Sequence, residues 1–309
     1  MQADVGEAVR SKTGIEWRTM LLVMLCWLAY GLLTYFWQDL GWLIVAPAGS
    51  YILCFYGSLQ HEAVHGHPTR SNLVNEALVA LPIGILFPYR RYRTMHITHH
   101  NNDHLTDPAR DPESSYLEPR MCAGLPAPLR LLYTLNNSLL GRLVLGPAIT
   151  AVRFLAQEIR LIAGGNFTVV RIWAAHIIGL MLVWAWVSGV CGMPFWQYIM
   201  GIAYWGLSLT LLRSFAEHRA HANTGCRTII VESNPVISLM FLNNNLHMAH
   251  HEEPGIAWYR LPSYYRANKD RLLHENCGYL IKGYRQMFRD FALTPKEPLA
   301  HPLPESLEK

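Results

Sequence analysis

Two long uncharged runs open the chain, a polar stretch follows, and two further uncharged runs precede a polar C-terminal part. Residues 20–37 and 40–59 carry no charge, and only Gln38 and Asp39 lie between them. A bilayer-spanning helix needs about 20 mostly apolar residues. The pair therefore predicts a helical hairpin. Residues 172–190, interrupted by His176, and 195–212 predict a second one, joined by Cys191-Gly192-Met193-Pro194. The first run is directly followed by another span without a small-residue cleavage site, so it reads as a span and not as a cleaved leader. Residues 77–87 are apolar but too short to cross, which suits a re-entrant or surface-buried piece. Residues 125–152 alternate apolar patches with Arg130, Arg142 and Pro147, which predicts helices lying on the membrane. The proline-rich tail 294–309 is expected to be disordered. The fold expected is an all-α integral membrane protein. It is read as one domain over 1–309, with four transmembrane helices in two hairpins and a cytoplasmic helical cap.

Composition supports part-membrane, part-water surroundings. Hydrophobic residues make up 51% and charged residues 16%, against about 25% charged in soluble domains. Mean hydropathy is only +0.12, so the spans do not fill the chain. No Lys or Arg occurs between Arg18 and Arg70 or between Arg171 and Arg213. The excess of Lys and Arg on cytoplasmic segments then predicts that both hairpin turns face outward. Trp37, Trp42, Trp173 and Trp196 fall near the expected span ends, where interfacial aromatics concentrate. A net charge of +4, with no basic aromatic stripe, excludes nucleic acid as a partner. The six cysteines form no C-x-x-C pair, so reduced thiols are expected.

The fifteen histidines carry the candidate chemistry. His61 and His65 flank Glu62-Ala63-Val64 at the end of the second run. His96, His99 and His100 form an H-x-x-H-H set in the central polar stretch. His247, His250 and His251 form another after the fourth run. Residues three and four apart share a helix face, so each set converges. Neutral imidazole is a ligand for iron, zinc and copper. Eight such nitrogens exceed the needs of one tetrahedral zinc and suit two metals. Arg213 to His221 reads RSFAEHRAH. Either His218 or His221 is placed to supply a ninth ligand, with His218 preferred and His221 beside it.

A metal-bound His usually donates its other ring N–H to a carboxylate or carbonyl. Glu62, Asp103, Asp107, Asp111, Glu252 and Glu253 are candidates for that role. Asn243, Asn244 and Asn245, just before the last set, would orient a ligand or cap a helix. His67 and His104 break the spacing and read as supporting or surface residues. His176 lies alone inside a span, as a hydrogen-bonded residue or with an unassigned role. His274 and His301 read as surface residues.

The order hairpin, box, box, hairpin, box over roughly residues 20–262 resembles the histidine-box di-iron superfamily of membrane fatty-acid desaturases and hydroxylases. The segments TDPARDPES and HHEEPGIAWYRLP also resemble bacterial acyl-lipid members. The resemblance implies two irons held at the cytoplasmic membrane face by His61, His65, His96, His99, His100, His218, His247, His250 and His251. It implies O2 as co-substrate and a lipid or acyl chain as substrate. Electrons would come from a separate ferredoxin with its reductase, or from a cytochrome b5-like donor. No electron-transfer module is visible in the chain. The family outcome is a C=C bond. Hydroxylases, ketolases and small-molecule desaturases such as the dihydrorhizobitoxine type share the same boxes. A bacterial inner-membrane location follows from the same likeness.

Two other readings use the same residues. His61-Glu62-x-x-His65 satisfies the H-E-x-x-H zinc-protease pattern, with Glu62 as general base, but leaves both H-x-x-H-H sets unexplained. A metal transporter would place its ligands near the bilayer midplane, where only His176 falls.

Overall fold

The computed structural model describes residues 14–302. These are mostly helical: α1 Trp17–Tyr35, α2 Trp37–Leu40, α3 Trp42–Val64, α4 Asn72–Val79, α5 Tyr89–His100, α6 Pro119–Gly124, α7 Ala127–Asn136 and α8 Leu139–Ala163. There follow α9 Phe167–Val190 and α10 Phe195–Glu217, each with a π-helical stretch. Then come β1 Ile230–Val231, α11 Pro235–Met240, α12 His247–Glu252, α13 Leu261–Glu275, β2 Leu280–Ile281 and α14 Tyr284–Phe291.

Five of these helices are long and apolar enough to cross a membrane: α1, α3, α8, α9 and α10. Four coincide with the expected runs. The fifth, α8, lies mostly in the stretch 125–152 expected to hold membrane-surface helices, and is longer and more continuous than that expectation. Between Arg142 and Arg153 the chain carries no charge, and the helix continues through Pro147. The apolar stretch is therefore longer than its flanking arginines suggest.

The chain divides into two compact units. The first comprises 14–93, 147–210 and 255–257. In it α1 packs on α3, and α3 on the π-helical stretch of α10. The turn between the first two spans is the short α2 followed by Gly41, whose φ of 72° is the left-handed conformation that glycine adopts without strain. A Cβ on Gly206 would lie 2.7 Å from the Leu53 Cβ, so glycine permits the close approach of these helices.

The apolar piece around 77–87 folds as the end of α4 and a non-helical loop, with Ile83 fully buried. Buried backbone carbonyls need partners, and side chains supply them. Trp27 donates to Leu78 O, Gln60 to Val79 O, Tyr56 to Leu81 O, Tyr198 to Ile83 O and His176 to Ile85 O, all at 2.7–3.0 Å. His176 is thus a buried hydrogen-bonding residue. The Arg91 guanidinium grips Glu158 with two nitrogens, and Trp173 donates to the same carboxylate.

The second unit comprises 94–146, 211–254 and 258–302. After α10 the chain turns back on itself. Arg219 N donates to Arg227 O, and Ile229 N to Glu217 O. β1 and β2 then pair in parallel, Ile230 opposite Leu280. Asn276, fully buried, donates to Thr228 O and Tyr279 O. Beside it Cys226 and Cys277 form a disulfide, Cα atoms 5.1 Å apart, which corrects the expectation of reduced thiols for this pair. The paired backbone brings two residues distant in sequence side by side.

The tail differs from its expectation as well. Leu117 N donates to Leu299 O, His301 N to Leu117 O, and Lys296 N to Asn137 O. Residues 294–302 are therefore held as a strap; 303–309 lie outside the described residues. His301, expected at the surface, is buried against the Tyr116 ring with its Nε2 3.2 Å from Thr106 Oγ1.

Candidate metal centre

In the first unit, His61 and His65 sit at the C-terminal end of α3, a helical turn apart. Their ring centroids are 4.7 Å from one another. His61 and Glu62 are buried.

In the second unit the other two boxes meet. The last turns of α5 carry His96, His99 and His100. Helix α12 carries His247, His250 and His251. The approach to α12 is constrained: Leu242 and Asn243 both have positive φ, 48° and 60°, a costly conformation for residues with a side chain. Asn243 Nδ2 donates to Trp258 O and pins this turn. The neighbouring Asn244, not Asn243, touches a histidine of the box.

His99, His218, His247 and His251 bring one ring nitrogen each within 4.8 Å of one another. His218 Nε2 is 3.0 Å from His99 Nε2 and 3.0 Å from His247 Nε2, and His251 Nε2 is 3.1 Å from His247 Nε2. A second convergence joins His96, His100 and His250, with His100 Nε2 3.2 Å from His250 Nε2.

The outer nitrogens explain how these rings are aimed. His99 Nδ1 is 2.8 Å from Asp111 Oδ1, His96 Nδ1 2.8 Å from Glu113 Oε1, and His247 Nδ1 3.0 Å from Asn244 Oδ1. His218 Nδ1 lies 3.3 Å from Thr228 Oγ1. Carboxylate and amide oxygens only accept, so Nδ1 of His96, His99 and His247 carries a proton, and the neutral form of each ring presents an Nε2 lone pair. Lone pairs pointed at one another at about 3 Å repel. A cation among them removes the repulsion.

Charge balance follows the same geometry. Burial alone would lower the His99 pKa. The Glu113 charge and the Asp111 hydrogen bond and charge overcome it and raise the value to about 9. Burial, with the charges of His96 and His99, lowers His100 to about 3. His218, His247 and His251 are held neutral, well below the ordinary imidazole range, by burial first and by neighbouring histidines second. The group is an all-imidazole inner set with acceptors behind it, a donor set that suits iron, zinc or copper.

The other candidates fall in varied places. Asp111 backs His99. Asp107 Oδ1 accepts from Ala109 N and Arg110 N and shapes the turn that carries Asp111. Asp103 lines an open cleft with Thr228, Met248 and His251. His221 Nδ1 accepts from Asn223 N, on an exposed turn. Glu252 pairs with Arg271 and Tyr264. His67 faces Glu16, and His104 accepts from Arg110. Glu113, Glu217 and Thr228 escape the sequence reading. Glu217 Oε1 lies 3.5 Å from His247 Nδ1 and pairs with Arg213. Its place next to His218 is the one local signal that could have found it.

No curated protein matches the chain. A family model described as fatty acid desaturase matches residues 40–282. That stretch runs from the second span through the last histidine box to the second strand. The family is one of oxidoreductases, and the five apolar helices fit its membrane setting. With most of its length inside that match, and two of its boxes converging in the second unit, the chain belongs to the fatty acid desaturase family.

Proposed function

We propose that the chain is a di-iron, O2-dependent membrane desaturase that introduces a C=C bond into a fatty acyl or related aliphatic chain. The observation that carries this reading is the four-imidazole group, with Nε2 of His218 at 3.0 Å from Nε2 of His99 and of His247. One iron would sit on His99, His218, His247 and His251. The other would sit on His96, His100 and His250. The irons would supply the O2 and one-electron chemistry that removing hydrogen from an unactivated C–H bond demands, which no side chain provides.

The chain's own residues then have defined tasks. Asp111, Glu113 and Asn244 accept the Nδ1 protons and set ring direction, and Thr228 stands beside His218 Nδ1, so the inner nitrogens face one another. The spans would place one C–H bond of an apolar chain near the irons and keep water away. Electrons would come from a separate ferredoxin-type or cytochrome b5-like donor. The boxes would face the cytoplasm, in a bacterial inner membrane. A zinc-protease reading uses only His61, Glu62 and His65 and leaves the four-imidazole group without a task.

The test is lipid analysis of cells expressing the chain together with a ferredoxin and its reductase. New unsaturated chains, absent with His99→Ala or His251→Ala, are expected. Hydroxylated or oxidised products instead of alkenes would move the chain to the hydroxylase branch. Unaltered lipids with a reconstituted donor, and full activity on a peptide substrate requiring Glu62, would overturn the proposal.

A further inference from the structure

The end of α10 delivers His218, and its final carbonyls all find partners from outside the helix. The last carbonyls of a helix have no partner within it, and buried ones must be satisfied elsewhere. Lys296 Nζ donates to Phe215 O at 3.0 Å and to His218 O at 2.9 Å. Tyr279 donates its hydroxyl to Ala216 O at 3.0 Å, and Ile229 N donates to Glu217 O at 3.1 Å. Lys296 thus serves two of the four, one of them the carbonyl of His218 itself. An ammonium at a helix C-terminus also meets the negative end of the helix dipole.

The lysine is well placed for this. Its backbone is fixed by Asn137 O, and the adjoining strap is tied to Leu117 on both sides of its chain. Its Nζ lies over the Phe215 ring at 5.8 Å and the Tyr279 ring at 5.9 Å, within the range at which a cation is attracted to an aromatic face. The carbonyl of His218 is held from one side by the strap, and its Nδ1 from the other by Thr228.

We propose that Lys296 is a positioning residue for His218. The C-terminal strap 294–302 fixes the backbone from which that ring enters the four-imidazole group. This rests on the assignment of His218 as a metal ligand. Lys296 would act on the metal held with His99, His247 and His251, and not on the one held by His96, His100 and His250.

Co2+ titration of the metal-free, detergent-solubilised chain, read by its optical bands, tests this. Wild type is expected to take up two Co2+. Outer partners of metal ligands typically tune affinity by about 10–100-fold. Lys296→Met should therefore weaken one Co2+ by about 10-fold or more and leave the other unchanged. Lys296→Arg, which keeps a cationic donor, should recover most of that loss. In a His218→Ala background, Lys296→Met should add nothing further. Unchanged affinities in Lys296→Met, or an equal fall of both, would overturn the inference. If Lys296→Met fails to fold, Lys296→Gln, which keeps one N–H donor, is read in the same titration. Absence of any Co2+ binding by wild type would defeat the metal reading itself, a separate result.

Discussion

His99 concentrates the chemistry of the site in one residue. Its Nδ1 meets Asp111, and its Nε2 meets His218. The two partners pull in opposite senses, one stabilising a proton and the other needing a lone pair. Without metal the acidic neighbours win and raise its pKa to about 9. Below that value a metal must displace a proton from His99. Apparent metal affinity should then rise with pH, by about tenfold per unit for one displaced proton, and level off above about 9. Titrations between pH 6.5 and 9.5 would check this; a flat profile would contradict it. Asp111→Asn keeps the shape but removes the charge. It should weaken metal binding by about 10–100-fold, measured by the same titration, and bring the pH at which the curve levels off downward.

These outer partners also show where sequence reading reaches and where it stops. The three boxes were legible because helical spacing alone puts their members on one face. Asp111 was within reach as an acid near the second box. Glu113 was not: it stands 17 residues beyond His96, across an irregular loop whose path no local pattern fixes. Thr228 comes to His218 only through the backward turn after α10, and nothing in a Thr-Ile-Ile sequence announces that.

At the scale of elements, the loop at 80–88 is the informative case. Its apolar composition was readable, but its lack of helical hydrogen bonds was not. The carbonyls depend on Tyr56, Tyr198 and His176 from three different helices. Tyr198→Phe removes the 2.7 Å bond to the buried Ile83 O and leaves that oxygen unpaired. The cost should be about 1–3 kcal/mol, seen as a lower melting temperature in detergent with metal content unchanged. A neutral effect would mean that water reaches this loop. Helix α8 illustrates the opposite failure. Arg142 and Pro147 made the segment look interrupted, yet the uncharged stretch beyond them is continuous. Its Glu158 is neutralised by Arg91, a partner 67 residues away that sequence alone cannot assign.

For the whole molecule, the described chain combines five membrane-length helices with a second unit built around clustered histidines. Hydrophobic runs were long enough to declare four spans directly. Prolines in the tail suggest disorder, whereas the order of 294–302 comes from backbone pairing with Leu117 and Asn137.

The most direct test of the account is the iron content of detergent-purified protein from iron-replete cells. A di-iron centre should give close to two irons per chain, with the number falling when His251 is replaced by Ala. A single zinc per chain, unaltered by His251→Ala, would contradict it.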